Sequence, residues 1–221
     1  MEICKLEHIH KDYRMGEIVT PLRDICLEVH AGDFIAVEGP SGIGKSTLLY
    51  VLGTLLQPDA GTYTFGGRDV ADFSDAGRSD LRARKIGFIF QDSTMIQALT
   101  LRENLLFTQR VGGRKDAKKV DELLGRFGLE DRADFFPHQL SGGQRRRAMA
   151  ARALIREPAL ILADEPTNDL DDHWSREIIR ILKEQTEKGT AVVMVTHNSR
   201  WAEAATRRCR LEDGILVDAG V

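Results

Sequence analysis

Hydrophobic and polar positions along the chain change their period several times, and those changes divide it. ICKLEHI from Ile3 and DICLEVH from Asp24 alternate apolar and polar residues, as half-buried strands do. DFIAVEG is a more continuous apolar run, the pattern of a central strand, and it leads straight into a glycine-rich loop. GTYTFGG is a short strand between turn signals. A charged helical stretch from Ser74 to Lys85 then precedes the apolar strand IGFIF.

From Leu101 to Leu154 helical patterns dominate (LRENLLFTQR, AKKVDELLGRFG), with no convincing strand between them. Alternation then resumes with the strand PALILA, a helix over SREIIRILKEQ, the strand AVVMVTH, a short helix near Trp201 and a closing RCRLEDGILV hairpin. Strand and helix alternating on both sides of a helical block predict an α/β core built on a parallel sheet. The block, 91–154, is expected as a helical insertion in one domain whose core is 1–90 and 155–221.

Composition narrows the class without choosing a chemistry. The 221 residues are 42% hydrophobic and 29% charged, ordinary for a globular domain large enough to bury a full core. A net charge of −3 argues against a general nucleic-acid binder. No apolar run approaches the roughly 18 residues of a membrane span. The start, MEICKLEHIHKDY, is polar where a signal peptide is apolar, so a cytoplasmic protein is expected. Cys4, Cys26 and Cys209 fit neither a disulfide framework nor a zinc motif, and are expected as reduced thiols in or near the core.

Chemistry enters at GPSGIGKST, residues Gly39, Pro40, Ser41, Gly42, Ile43, Gly44, Lys45, Ser46 and Thr47. It fits G-x-x-x-x-G-K-[ST], with the strand before and the helix after that such a loop requires. Its glycines let backbone N–H groups turn around phosphate oxygens, and the helix adds its positive end. Lys45 has the reach for β- and γ-phosphates, and the Ser46 hydroxyl suits Mg²⁺. ALILADEP ends a second apolar strand in Asp164 and Glu165, carboxylates at the sheet edge where ligands bind. Asp164 suits the shell of Mg²⁺, and Glu165 is placed to polarise a water.

A second candidate anion cradle follows, LSGGQRRR: Ser141, Gly142, Gly143 and Gln144 open a helix, with Arg145, Arg146 and Arg147 behind them. With these motifs in this order, the chain resembles the ABC-type ATPases over essentially its whole length. LSGGQ resembles their signature, Gln91 the Q-loop glutamine, NDLD (168–171) the D-loop and His197 the switch histidine.

The resemblance implies a P-loop NTPase fold with an N-terminal antiparallel β subdomain, an inserted α-helical subdomain, and ATP with Mg²⁺ as ligands. Glu165, His197 and Gln91 are its expected catalytic set, and Ser46, Gln91 and Asp164 its metal-binding set. Tyr13 stands where the family stacks an aromatic ring on adenine, with plain packing as the alternative. The resemblance also explains two cradles in one chain: the domains pair head to tail, and the signature of one covers ATP held in the loop of the other. The three arginines then need no nucleic acid. They are expected to be solvated or paired with acids on the helix face, or otherwise in partner contacts, as are Arg207, Arg208 and Arg210.

YRMGEIVTPLRDICLEVHAGDF is similar to the lipoprotein-releasing and macrolide-exporter branch. Its ATPases work on the cytoplasmic face of the inner membrane with separate integral membrane permease subunits. A related expectation is an ATPase that regulates cell-envelope hydrolases through a membrane partner without transporting a substrate. A soluble role in DNA repair or translation would normally bring tandem motif sets or long coiled-coil insertions. Three features depart from the branch pattern: Ile43 at a position usually small, no proline in DSTMIQALT after Gln91, and NDLD in place of a glycine-asparagine pair before leucine and aspartate. Met95, Ile96, Ala98 and Leu99 are expected either to line the docking wall for the membrane partner or to pack the helical insertion.

Overall fold

A computed structural model describes residues 1–92, 94–113 and 116–219, the side chain of Met15 apart. Strands β1 (Glu2–Met15), β2 (Glu17–His30), β3 (Phe34–Glu38), β4 (Ala60–Phe65), β5 (Arg68–Asp69), β6 (Ile86–Ile89), β7 (Leu160–Asp164), β8 (Ala191–Thr196), β9 (Arg207–Glu212) and β10 (Ile215–Asp218) form one sheet. Its order is β5-β4-β1-β2-β10-β9-β3-β8-β7-β6. The β6, β7, β8, β3 and β9 run is parallel. Across β5, β4, β1 and β2 the pairing is antiparallel.

Strands β3, β7 and β8 are buried on both faces, and their side chains divide by the two-residue period of the pleat. Phe34 and Ala36, Ile161 and Ala163, and Val192 and Met194 point to one core. Ile35 and Val37, Leu160 and Leu162, and Val193 and Val195 point to the other. The second core also takes Leu48, Leu49, Val51 and Leu52 of α1 (Lys45–Leu52) and the inner face of β1 and β2. The first is shared with α3 (Leu101–Val111), α4 (Ala117–Arg126), α5 (Gly142–Leu154) and α6 (Asp172–Glu187). Helices α2 (Asp75–Lys85) and α7 (Ser199–Ala202) complete the set.

The β1–β2 hairpin runs much further than the alternation at ICKLEHI and DICLEVH indicates, with Gly16 turning at φ +83° between the strands. Register shifts between Leu6 and Ile9, Ile9 and Lys11, and Lys11 and Tyr13 break the period that would have revealed it. The three thiols also divide unexpectedly. Cys4 and Cys209 are buried, burial pushing the Cys4 thiol up to about 12. Cys26 is exposed on β2.

After Gln91 the chain is held by Asn104, 1% exposed on α3. Its Oδ1 accepts from the Ile96 N–H at 2.8 Å, and its Nδ2 donates to the carbonyls of Ile96, Leu99 and Thr100 at 3.1, 3.0 and 2.9 Å. Thr100 and Glu103 close a capping box at the start of α3. Met95 is 5% exposed and belongs to the core with Leu101 and Leu105, so the packing alternative holds for it. Ile96 and Ala98 are exposed and Leu99 half-buried, while Ser93 of the same segment lies outside the described residues.

Helix α5 lies close against β6 at Gly87, where a Cβ would stand 2.5 Å from the Ala153 carbonyl oxygen and 3.0 Å from the Pro158 ring. Both obstacles belong to backbone or a rigid ring, so neither gives way cheaply. Gly87→Ala is expected to destabilise the fold by about 1–3 kcal/mol, the usual cost of overpacking, measured by urea denaturation. An unchanged midpoint would mean that α5 is not seated on the strand.

Candidate functional site

The loop after β3 is shaped from two sides. Gly42 and Gly44 have φ of +79° and +118°, values that L side chains rarely adopt. A Cβ on Gly44 would meet the Pro21 carbonyl oxygen at 2.7 Å, so β2 presses directly on the loop. Ile43 packs partly buried against the second core, which reconciles a large residue with a tight phosphate loop. Lys45 Nζ donates to the carbonyls of Gly39 at 2.7 Å and Pro40 at 2.8 Å. These bonds fold the ammonium over the loop and leave its third donor uncommitted.

Asp164 ends β7, 4% exposed, near Ser46 and Lys45. Burial raises its pKa above the ordinary carboxylate value and the neighbouring Glu165 charge adds to this, while Ser46, Lys45 and Arg146 oppose the rise. Glu165 turns off the strand at φ +46°, uncommon for a residue with a side chain, and its N–H donates to the Val195 carbonyl at 3.0 Å. Both carboxylate oxygens are held: Oε2 accepts from Thr196 Oγ1 at 3.1 Å, and Oε1 accepts from the His197 N–H at 3.0 Å. The His197 Nδ1 faces Oε1 at 2.7 Å. The carboxylate is 8% exposed and the imidazole 58%, so the pair runs from the core to the surface.

These groups share one cleft of about 490 Å³ with Tyr13, Ser41, Gln91 and Asn168. Gln91 is exposed. The Tyr13 hydroxyl lies 3.4 Å from Thr47 Oγ1 at the start of α1. A second concavity of similar volume, near Lys85 and Lys188, contains none of these groups and lies beside the starts of β6, β7 and β8, away from the strand ends that carry the carboxylates.

Ser141, Gly142, Gly143 and Gln144 are not among the residues lining the cleft. They open α5 through a capping box: Ser141 Oγ accepts from the Gln144 N–H at 3.2 Å, and Gln144 Oε1 accepts from the Ser141 N–H at 2.9 Å. The S-x-x-Q spacing carries that signal in the sequence. The helix start rests on the D-loop, where a Cβ on Gly143 would stand 3.0 Å from the Asp169 carbonyl oxygen.

The arginine run departs from the sequence expectation. Arg146 is 5% exposed and ties three segments together: it donates to the Phe90 carbonyl at 2.7 Å and the Asn168 carbonyl at 3.3 Å, and pairs with Asp169 at 3.5 Å. Arg145 donates to the Leu140 carbonyl at 2.6 Å. Arg147 reaches the Phe127 and Gly128 carbonyls and stacks 4.0 Å over the Trp174 ring. A guanidinium satisfies backbone carbonyls as readily as acids, which charge patterning along the sequence does not reveal. By contrast, Arg207 pairs with Asp33, Arg208 with Glu38 and Arg210 with Glu212, acids as expected but on strands and a turn rather than on a helix face.

The family model described as "ABC transporter" matches residues 22–168. The macrolide export ATP-binding/permease protein MacB of Syntrophobacter fumaroxidans is 41% identical over 223 residues, covering 98% of this chain and 31% of that protein. MacB of Nitrobacter winogradskyi is 42% identical over 223 residues, covering 99% of this chain and 35% of that protein. The chain therefore spans about a third of the length of these curated relatives. Among solved structures, the ATP-binding cassette MJ0796, dimeric and bound to ADP and Pi in a post-hydrolysis state, matches with a TM-score of 0.92 and 36% identity. That match covers 97% of this chain and 96% of MJ0796. With loop, Q-loop, signature and acidic strand end all inside the matched region, the chain belongs to the ABC transporter family as one of its ATPase cassettes.

Proposed function

We propose that this cassette binds Mg·ATP and hydrolyses it between two copies of itself arranged head to tail. The resulting motion powers an integral membrane permease from the cytoplasmic face of the plasma membrane. Export or lipoprotein release is the favoured class, supported by the MacB relatives, whose names join ATP binding to a permease. The observation that carries the reading is the division of the site. Lys45, Ser46, Asp164, Glu165 and His197 share one cleft, while the glycine-opened helix start at Ser141 is absent from its lining. Residues 91–154 are read as the helical subdomain that presents this helix start to the partner.

In this mechanism the loop N–H groups and Lys45 bind the β- and γ-phosphates, the ammonium exchanging its loop carbonyls for phosphate oxygens. Tyr13, anchored through Thr47, packs against the base. The oxygen donors of Ser46, Asp164 and Gln91 suit a hard cation and would hold Mg²⁺. The bound ion would neutralise charge on the transferring phosphoryl group. Glu165, gripped by Thr196 and His197, keeps a free lone pair on Oε2 to orient the attacking water and take its proton. His197, the exposed end of that pair, lies where a γ-phosphate oxygen can be met. Ser141 and the N–H groups near Gly143 close the far side from the second copy.

Glu165→Gln is expected to keep ATP affinity while slowing hydrolysis at least about 100-fold, trapping an ATP-bound dimer visible by size exclusion. Wild-type turnover in that variant would remove Glu165 from its role. Asp164 gives a second test, because burial raises its pKa and its ionised form therefore costs stability at neutral pH. Asp164→Asn is expected to raise the melting temperature without nucleotide and to lose the further rise that Mg·ATP gives the wild type. A retained Mg·ATP shift would exclude Asp164 from metal binding.

Head-to-tail pairing is tested by mixing. Lys45→Ala damages a chain's own loop and Ser141→Arg the cover it offers its partner, so each homodimer has two damaged sites. A mixed dimer has one intact site. With Glu165→Gln in both chains, mixing is expected to restore Mg·ATP-dependent heterodimers that retain nucleotide. No gain on mixing, with both variants folded, would mean that each signature serves its own chain.

A further inference from the structure

On the far side of the β1–β2 hairpin from the second core, the pleat and a bulge bring three different metal-ligating side chains together. Asp24 and Cys26 are two residues apart on β2, while Ile25 and Leu27 face inward, so both project outward. Opposite them the register shifts: Leu6 pairs with Leu27 and Ile9 with Ile25, so β1 carries one residue more than β2 over this interval. His8 lies in that bulge at φ +53°. Its N–H donates to Cys26 Sγ at 3.4 Å, and its Nδ1 lies 2.8 Å from Asp24 Oδ1 and 3.9 Å from Cys26 Sγ.

The bulge is fixed from the opposite strand as well. Gly61 of β4 packs so close that a Cβ there would stand 2.4 Å from the His8 carbonyl oxygen and 2.6 Å from that of Glu7. His8 is thus held in a left-handed conformation by neighbours on both sides, and its ring is carried over β2 rather than along β1.

We propose that His8, Asp24 and Cys26 form a binding site for a divalent transition-metal ion of the zinc class, with solvent completing the coordination. The three ligand atoms all lie within 4.8 Å of one another. Tetrahedral bonds of about 2.0–2.3 Å place ligand atoms roughly 3.3–3.6 Å apart, so small side-chain rotations close the set. One thiolate, one imidazole and one carboxylate are a borderline-soft donor set, suited to Zn²⁺ or Co²⁺ and unsuited to Mg²⁺ or Ca²⁺, which take oxygen. Binding forms an Sγ–metal bond and releases the Cys26 thiol proton to water, with no change of oxidation state. The site is separate from the nucleotide cleft, whose lining includes none of the three residues. Its ligands come from both strands of the hairpin that carries Tyr13, so a bound ion cross-links β1 to β2.

The test uses the full chain without nucleotide, reduced and titrated anaerobically with Co²⁺ as the probe. The wild type is expected to develop a near-ultraviolet sulfur-to-cobalt charge-transfer band with visible bands of tetrahedral intensity, saturating at one ion per chain. Cys26→Ser should abolish the charge-transfer band. His8→Asn, chosen because Asn tolerates a left-handed backbone, and Asp24→Asn should each weaken binding at least about tenfold. Zn²⁺ should displace Co²⁺ and raise the melting temperature of the wild type, but not that of Cys26→Ser. A wild-type chain without the charge-transfer band overturns the proposal. So does a band that survives Cys26→Ser, or a Co²⁺ affinity indifferent to His8 and Asp24.

Discussion

One buried guanidinium sets the relation between the elements of this site. Arg146 leaves the first turns of the signature helix and is consumed by the carbonyl before Gln91, the carbonyl of Asn168 and the carboxylate of Asp169. A charge 5% exposed is tolerated only when its donors are met, because burying an unsatisfied charge is costly. The Q-loop flank, the D-loop and the signature helix therefore cannot drift independently, and their spacing is as fixed as one side chain can make it. The proposed head-to-tail pairing relies on this spacing, because in it the helix start faces a second molecule while Gln91 lines the cleft.

Around that tie, local conformations carry the reactive groups. The phosphate loop is bent by glycines at positive φ and pressed by Pro21, while Glu165 is turned off its strand and gripped by Thr196 and His197. Strained or uncommon backbone persists where surrounding structure over-determines it, here at the carboxyl ends of parallel strands. Burial raises the pKa of Asp164 there, so its ionised form costs stability at the strand end where the proposed function places a cation.

Much of this was legible in the chain. The loop, the acidic strand end and the two glycine cradles are contiguous stretches whose chemistry is local, and the apolar runs located the parallel strands. What escaped is non-local. Arg146 meets the Phe90 carbonyl across 56 residues, and no charge pattern announces a backbone carbonyl as its partner. Met95, for which docking and packing stood as alternatives, is drawn into the core by α3, a choice its apolar character alone does not make. The bulges of β1 erased the alternation that would have shown a 14-residue strand, and the same irregularity moved Cys26 and His8 onto a common outer face.

The buried face of α5 is notable for how little it projects. Ala148, Ala150, Ala151 and Ala153 contribute much of it, and β6 meets it with Gly87. Helices armed with leucine interlock like gear teeth and move only by jumping a ridge, whereas methyl groups leave shallow corrugation. The contact beneath the signature helix is therefore shallow where the alanines lie, while Met149 and Leu154 of the same buried face anchor it in the core. In the proposed ATPase cycle such a surface would let the helix start shift in small steps while Arg146 keeps it tied to the Q-loop flank and the D-loop.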